Sequence, residues 1–281
     1  MSTTMRPTKW ASRLLALNAW LVFAFFYIPI IVLVVFSFNG SRRVNIWGGL
    51  STRWYPEVLQ NEVILDALKN SLMVASISTI VATILGTSLA LALDRYRFRG
   101  RKTLDGAVFL PVIIPDVTMA VMMLVFFAQV FRFIDSFGPR FQLGIYTIVI
   151  SHIAFNISFV AVVVRARLGQ LDPSLEEAAR DLYASGWRAF QKVTLPLILP
   201  GVLAGALLAL ALSLDDVVIS AFVTGPGSTT LPVYVFSAIR RGVTPELNAI
   251  SSLMLLASTV LVLGSLFLQR EPKSKTNNQG K

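Results

Sequence analysis

Six apolar stretches, each long enough to cross a bilayer, constrain the fold of this chain more than any other feature. A helix of about 20 residues spans the roughly 30 Å of membrane hydrocarbon. The stretches are apolar on all sides rather than along one stripe, unlike the helices of a soluble core. Charged residues form 14% of the sequence, against about 25% in soluble domains. We therefore predict an all-α integral membrane protein, one domain over residues 1–281, with spans at about 14–38, 71–93, 107–131, 145–164, 197–223 and 248–268.

The basic residues between the stretches predict the orientation. Seventeen of the 25 Lys and Arg residues lie in the N-terminus, residues 94–106, residues 165–196 and the C-terminal tail, and eight lie in the alternating segments. Because positive segments stay in the cytoplasm, both termini are predicted to be cytoplasmic. The net charge of +10 then reflects topology and contact with anionic lipid headgroups. Nucleic-acid binding is disfavoured, since the sequence contains no soluble basic domain.

The sequence argues against a cleaved signal peptide and against disulfide or metal sites. The first apolar run is about 25 residues long, whereas the core of a signal peptide has about 7–15, so a retained anchor is predicted. The sequence has no cysteine, which rules out disulfides and thiolate metal sites. No metal site is expected, and the single histidine, His152, is interpreted as a hydrogen-bonded packing residue.

The longest inner segment, 165–196, has the signals of an ordered helical loop. Asp172 can cap a helix, and Glu176 and Glu177 fall in its first turn, where the helix dipole favours acids. Small residues follow, and Ser185–Gly186 offers a stop. Such a loop either packs on its own bundle or docks a cytoplasmic partner, and both interpretations stay open.

This loop resembles the "EAA" coupling loop of permease subunits from ATP-binding-cassette importers. Glu177-Ala178-Ala179 and Leu195-Pro196 match the family pattern, but Tyr183 stands where the family has glycine. We expect the turn to shift to Ser185–Gly186 for that reason. The resemblance implies an ATPase-coupling role for eight residues: Glu177, Ala178, Ala179, Asp181, Tyr183, Gly186, Leu195 and Pro196.

The wider resemblance covers nearly the whole chain. The segments "VTLPLILPGVLAG", "LSLDDVVISAFVTGPG" and "GVTPELNAISSLML" are similar to the spermidine/putrescine branch of these permeases. Sulfate, iron and phosphonate permeases share the fold and remain alternatives, and a stand-alone channel or secondary transporter is the rival from another class. The polyamine branch implies the type I importer permease fold in a bacterial inner membrane.

The same resemblance implies partners. Two ATPase subunits dock on the loop, a second homologous permease subunit completes the pathway, and an extracytoplasmic binding protein delivers the substrate. The sequence "FRGRKTLD" has Gly, Lys and Thr without the spacing of a phosphate-binding loop. We therefore expect no enzymatic activity and no cofactor in this chain, with ATP and Mg²⁺ bound by the separate ATPases. Whether the two permeases are identical or different stays open.

Three acids fall inside the apolar stretches, where an ionised side chain costs at least about 2.5 kcal/mol: Asp116, Asp215 and Asp216. On one continuous helix the adjacent acids point about 100° apart. Asp216 would then share a polar face with Ser213, Ser220 and Thr224, as in a helix that lines a wet cavity. We rank Asp216 first and Asp215 second as pathway residues. The alternative is that they pair with neighbouring helices.

Asp116 follows Pro111 and Pro115, which should interrupt the third span. Freed carbonyls beside a carboxylate suit a cation, although Asp116 could equally serve as a helix-capping acid. Aromatic faces attract cations by about 0.5–2 kcal/mol. Phe222, Tyr234 and Phe236 are candidates for that role, and simple packing is the alternative for each.

Overall fold

A computed structural model describes residues 9–138, 140–172 and 174–268, without the side chains of residues 9, 11 and 261–268. The N-terminus and the C-terminal tail beyond residue 268, both predicted to be cytoplasmic, lie outside the described residues. Within them the chain is helical, and the only β pairing is an isolated bridge between Asn39 and Leu50. The helices are α1 Lys9–Phe36, α2 Trp54–Gln60, α3 Glu62–Arg95, α4 Arg101–Ile113, α5 Asp116–Asp135, α6 Ile145–Leu168, α7 Ser174–Asp181, α8 Gly186–Ala189, α9 Leu195–Asp215, α10 Val218–Val223, α11 Leu231–Ile239 and α12 Pro245–Leu268, with a π-helical turn, Phe190–Thr194, between α8 and α9.

Among the described residues, five helices are long and apolar enough to span a membrane, and each overlaps one of the first five predicted stretches. The sixth stretch, 248–268, lies within the 24-residue α12. The fold class is therefore confirmed.

Two predicted spans are each divided between two helices, and only the first of these divisions was predicted. The third, 107–131, is divided between α4 and α5, because Ile114 and Pro115 are extended (ψ 132° and 139°). The fifth, 197–223, is not one continuous helix. One 30-residue helical run extends from Gly186 to Asp215, and residues 218–223 form the separate helix α10. The first break follows from proline, whereas the second involves neither proline nor glycine.

Contacts along the chain define two units. The first comprises the described residues up to 61 together with 237–257. In it the Asn39 side chain organises the outer segment: its amide donates to Ile46 O (2.8 Å), and its oxygen accepts from Gly48 N (2.8 Å). Trp54 Nε1 donates to Asn39 O at 2.7 Å. These bonds tie the segment after α1 to the start of α2.

The second unit, the described residues of 62–236 with 258–268, is built on α3, α6 and α9. Helix α6 is central, since 56% of the residues in its most apolar segment are buried, against 28% in α3 and 28% in the helical run from Gly186 to Asp215. Small residues allow close packing. A Cβ at Gly86 would lie 2.8 Å from the Cβ of Val160, and one at Gly205 would lie 3.3 Å from Val160 Cγ1. The residues buried around Val160 form one apolar core, and a second lies where α5, α6 and α10 meet.

Candidate substrate pathway and coupling loop

Asp216 lies at the break between α9 and α10. Its backbone is extended (φ −69°, ψ 122°). Its carboxylate accepts hydrogen bonds from Ile219 N (3.2 Å) and Ser220 N (2.7 Å). The first turn of α10 leaves these amides without helical partners, and a carboxylate there satisfies them. Asp216 thus determines where the second helix begins.

His152 joins Asp216 to a buried polar cluster. The His152 side chain is fully buried; its Nδ1 lies 2.7 Å from Ser213 Oγ, and its Nε2 lies 3.2 Å from Asp216 Oδ2 and 3.0 Å from Ser220 Oγ. Ser213 Oγ also lies 3.1 Å from Ser78 Oγ. The cluster therefore links α3, α6, α9 and α10. His152 is a hydrogen-bonded interior residue, as predicted, but its acid partner is 64 residues away and was missed.

This geometry changes the predicted polar face. Ser213, Asp216 and Ser220 do come together, but around His152 inside the protein, with Ser213 only 5% exposed and Ser220 fully buried. These two serines therefore lie in the packed interior rather than on a water-exposed helix face. The helix break also separates them from Thr224, whose hydroxyl lies 3.1 Å from Ser228 Oγ. The expectation of one continuous polar helix face is therefore wrong.

The other two acids differ from Asp216. Asp215 is exposed on the last residue of α9, and Asp116 is exposed on the first residue of α5. Within the described chain neither side chain has an ion-pair or hydrogen-bond partner. Asp116 lies in the first turn of a helix, where its charge complements the dipole. The structure thus separates one internally paired acid from two free ones.

The segment after α10 is held against α3 and α6. Thr147 Oγ1 donates to Val223 O at 2.6 Å, and Asn70 Nδ2 donates to Gly227 O at 3.0 Å. Gly225 approaches the backbone so closely that a Cβ there would lie 1.7 Å from Leu143 O. The predicted aromatic residues flank this segment: Phe222, 38% exposed, precedes it on α10, and Tyr234 and Phe236 follow it on α11.

The segment predicted to be the coupling loop begins as expected, since Asp172 Oδ1 accepts a hydrogen bond from Ser174 N (3.0 Å) before α7. That bond lowers the pKa of Asp172. Helix α7 has no buried residue, and Glu177, Ala178 and Asp181 are exposed on it, while Ala179 is half-buried.

The turn after α7 stays at Tyr183, contrary to the expected shift. Tyr183 has φ 59°. Its N–H donates to Arg180 O (2.9 Å), and Ala184 N donates to Ala179 O (3.1 Å). This pair of bonds is the Schellman motif, in which glycine usually takes the left-handed position. Gly186 instead starts α8, behind Ser185, whose hydroxyl accepts from Arg188 N. Tyrosine therefore adopts the glycine conformation here.

Glu176 anchors the loop to the membrane helices. It accepts hydrogen bonds from Arg95, at the end of α3, and from the Thr194 hydroxyl. Arg95 also donates to Thr194 Oγ1 at 3.2 Å. Partial burial opposes ionisation of Glu176, but the hydrogen bonds from Thr194 and Arg95, with the charges of Arg95 and Arg180, keep its pKa below the ordinary value. Helix α7 is thereby joined to α3 and to the helical run that ends at Asp215.

Comparison with known proteins agrees with this architecture. The model of the family described as "Binding-protein-dependent transport system inner membrane component" matches residues 82–270. The spermidine/putrescine transport system permease protein PotC of Escherichia coli K12 is 41% identical over 256 residues, 91% of this chain and 93% of that protein. The putrescine transport system permease protein PotI of the same strain is 44% identical over 234 residues, 83% and 82% of the two chains.

Solved structures show the same fold. A chain of a bacterial ABC transporter involved in the import of the acidic polysaccharide alginate superposes with a TM-score of 0.77 at 20% identity, covering 94% of this chain and 96% of that one. The alginate transporter in complex with a pentasaccharide-bound periplasmic protein gives 0.71 at 20% identity, covering 91% of each chain.

Proposed function

The chain belongs to the family of binding-protein-dependent transport system inner membrane components, and on that basis we propose that it is the pathway-forming subunit of an ATP-driven importer of polyamines. Two relatives above 40% identity are named for spermidine/putrescine and putrescine transport. A polyamine is a flexible chain with two or more ammonium groups. Its route needs separated carboxylates that no residue of the transporter itself neutralises.

The observation that carries the substrate class is the pair of free acids, Asp116 and Asp215. Both are exposed at helix ends within predicted spans, and neither has a partner in the described chain. Facing lipid, each ionised carboxylate would cost at least about 2.5 kcal/mol. Facing an aqueous route, each can bind an ammonium group. Asp216, already bonded to His152 and to α10, serves instead to hold the two helices that carry the route.

The same acids weigh against the alternative substrates. Sulfate and phosphonate are anions, which exposed carboxylates repel, and iron would require a cluster of ligands. Among the residues that the structure describes, no three His, Cys, Asp or Glu side chains gather into a metal-binding group. Within this importer class, a polyvalent organic cation therefore fits best.

Transport would be driven through one continuous helical run. It extends over 30 residues from Gly186 to Asp215, about 45 Å at 1.5 Å per residue. Its inner end adjoins α7, which Glu176 ties to Arg95 and Thr194. Two ATPase subunits, which would bind ATP and Mg²⁺, would dock on α7 and on the residues that follow it up to the start of α8, where Leu182, Tyr183 and Trp187 are 83%, 96% and 65% exposed. A tilt imposed there would reach Asp215 as a rigid-body motion.

The remaining partners follow from this arrangement. A second homologous permease would cover the exposed acids and close the route, and an extracytoplasmic binding protein would deliver the polyamine to its outer mouth. The periplasmic protein in the alginate complex supports the latter.

Uptake of radiolabelled putrescine and spermidine by the complete complex in proteoliposomes tests the proposal. Asp116→Asn and Asp215→Asn should each lower uptake at limiting substrate about tenfold, as expected when one charge-assisted hydrogen bond of about 1.5–3 kcal/mol is weakened. Glu57→Gln, which removes an exposed acid of α2 outside the spans, is the control and should leave uptake unchanged. Wild-type complex that imports no polyamine would refute the substrate. Transport by this chain alone, without ATPases, would refute the importer class.

A further inference from the structure

The loop between α3 and α4 alternates basic and aromatic residues at the inner end of the bundle. Its residues, 96–100, read Tyr-Arg-Phe-Arg-Gly, and Arg101 and Lys102 open α4. Tyr96 is 67% and Phe98 is 42% exposed. Since Tyr and basic residues concentrate where a cytoplasmic loop meets the membrane, this loop lies at the level of the lipid headgroups.

A tight turn gathers the cations. Arg101 N donates to Phe98 O at 3.2 Å, and Gly100 has φ 89° and ψ 0°. These angles belong to the third position of a type II turn, which strongly favours glycine. The reversal places residues on both sides of it around one concavity of about 380 Å³, lined by Arg97, Phe98, Gly100, Arg101, Lys102 and Thr103.

The nearby acids do not neutralise these cations. Glu176 is paired with Arg95, and Asp105 is paired with Arg165. In the described part of the chain, Arg97, Arg99, Arg101 and Lys102 have no ion-pair partner. Asp94, the remaining acid of this region, forms no ion pair either. Three unpaired cations, Arg97, Arg101 and Lys102, thus line the concavity, and Arg99 is a fourth in the same loop.

We propose that this concavity binds the phosphate of an anionic lipid in the inner leaflet. Arg97, Arg101 and Lys102 supply the positive charge, and the Thr103 hydroxyl supplies a hydrogen-bond donor. Phe98 gives the concavity an apolar wall, and Leu104, 38% exposed, begins the apolar surface of α4 just beyond it. A free phosphate makes no favourable contact with an apolar side chain, whereas the glycerol and acyl region of a lipid packs against one.

The test uses the complete complex in phosphatidylcholine nanodiscs that contain a rising fraction of photoactivatable phosphatidylglycerol, with crosslinking to residues 95–104 measured by mass spectrometry. Each cation near an anionic headgroup contributes about a fivefold gain in binding. Arg97→Gln, Arg101→Gln and Lys102→Gln should therefore each raise the half-saturating lipid fraction about fivefold, and the triple variant should raise it on the order of a hundredfold. The triple variant leaves the inner segments 14 of their 17 cations against eight outside, so the topology holds.

The control removes three cations predicted to face the opposite side: Arg42→Gln, Arg43→Gln and Arg132→Gln together. It should leave crosslinking at residues 95–104 unchanged. Three results would overturn the proposal: crosslinking by the inner triple variant that matches the wild type, equal losses in the inner and outer triple variants, or displacement of the lipid by millimolar inorganic phosphate. The last would make the concavity a site for soluble anions. The single Arg97→Gln variant, which removes no ion pair, decides the question if the triple variant fails to assemble.

Discussion

Replacing Asp215 and replacing Asp216 should produce different defects, because the structure gives only Asp216 hydrogen-bond partners inside the protein. Asp216 accepts hydrogen bonds from Ile219 N and Ser220 N and contacts His152. Asp215 is exposed and makes no such contact in the described chain. We predict that Asp216→Ala destabilises the fold, whereas Asp215→Asn impairs transport at full stability.

The magnitude follows from the groups left without partners. Asp216→Ala removes the acceptor of two backbone amides, and a buried donor without its partner costs about 1–3 kcal/mol. Side-chain hydrogen bonds between membrane helices contribute less, about 0.6 kcal/mol on average, so we expect the lower end, about 2–3 kcal/mol in total. His152 adds little, since it keeps Ser213 and Ser220. Asp216→Asn retains one acceptor oxygen and should cost about 1 kcal/mol.

The assay is denaturant unfolding of the purified chain in mixed micelles, run in parallel with ATP-driven uptake by the complex. Asp215→Asn should unfold within about 0.5 kcal/mol of the wild type, as surface substitutions usually do. The reasoning is refuted if Asp215→Asn loses as much stability as Asp216→Ala, or if Asp216→Ala is as stable as the wild type. The former result would mean that Asp215 has an internal partner after all.

Three further outcomes are expected. Tyr183→Gly should slow hydrogen exchange at the end of α7, since a non-glycine residue in the left-handed region costs about 1–2 kcal/mol. Tyr183→Ala keeps that cost and should leave the exchange rate unchanged. Equal exchange rates in the two variants would exclude relief of backbone strain. Gly225→Ala should sharply lower the thermal stability, because its Cβ would lie 1.7 Å from Leu143 O; Gly106→Ala, with open space around it, is the control, and an unchanged midpoint in both would contradict the close approach. Because the pKa of Glu176 is lowered, its contribution to stability is complete above the unfolded pKa of about 4.3 and is lost as the pH falls through the folded-state pKa. Protection of the α7 amides from hydrogen exchange should drop in that acidic range in the wild type and stay constant in Glu176→Gln. A drop in both proteins would exclude Glu176 as the cause.

Local chemistry determined the features that sequence could predict. The length and all-round apolarity of a stretch decide whether it spans a bilayer, and the distribution of Lys and Arg decides its orientation. Pro115 interrupts the third span wherever its neighbours lie, because its ring and missing N–H act on the adjacent turn. Asp172 begins α7 through a bond to a residue two positions away. The resemblance to the family is likewise carried by short contiguous segments of the sequence.

The turn at Tyr183 shows where local rules stop. Propensity disfavours tyrosine at a left-handed position, so the sequence predicted a turn displaced to Ser185–Gly186. The structure retains the turn through two backbone hydrogen bonds at the end of α7, a helix whose first turn is held to Arg95 and Thr194 by Glu176. These contacts together outweigh a preference of about 1–2 kcal/mol.

The sequence by itself determined that two acids lie side by side in an apolar run, and that such acids need partners. Only the tertiary structure decided which acid has one. Helices α6 and α9 pack so that His152 meets Ser213, and the chain opens after Asp215 so that Asp216 turns toward the same histidine. That pairing depends on the register of two helices whose contacting residues are 61 and 64 positions apart. Helical periodicity predicts which residues share a face of one helix, but it does not predict how two helices align with each other.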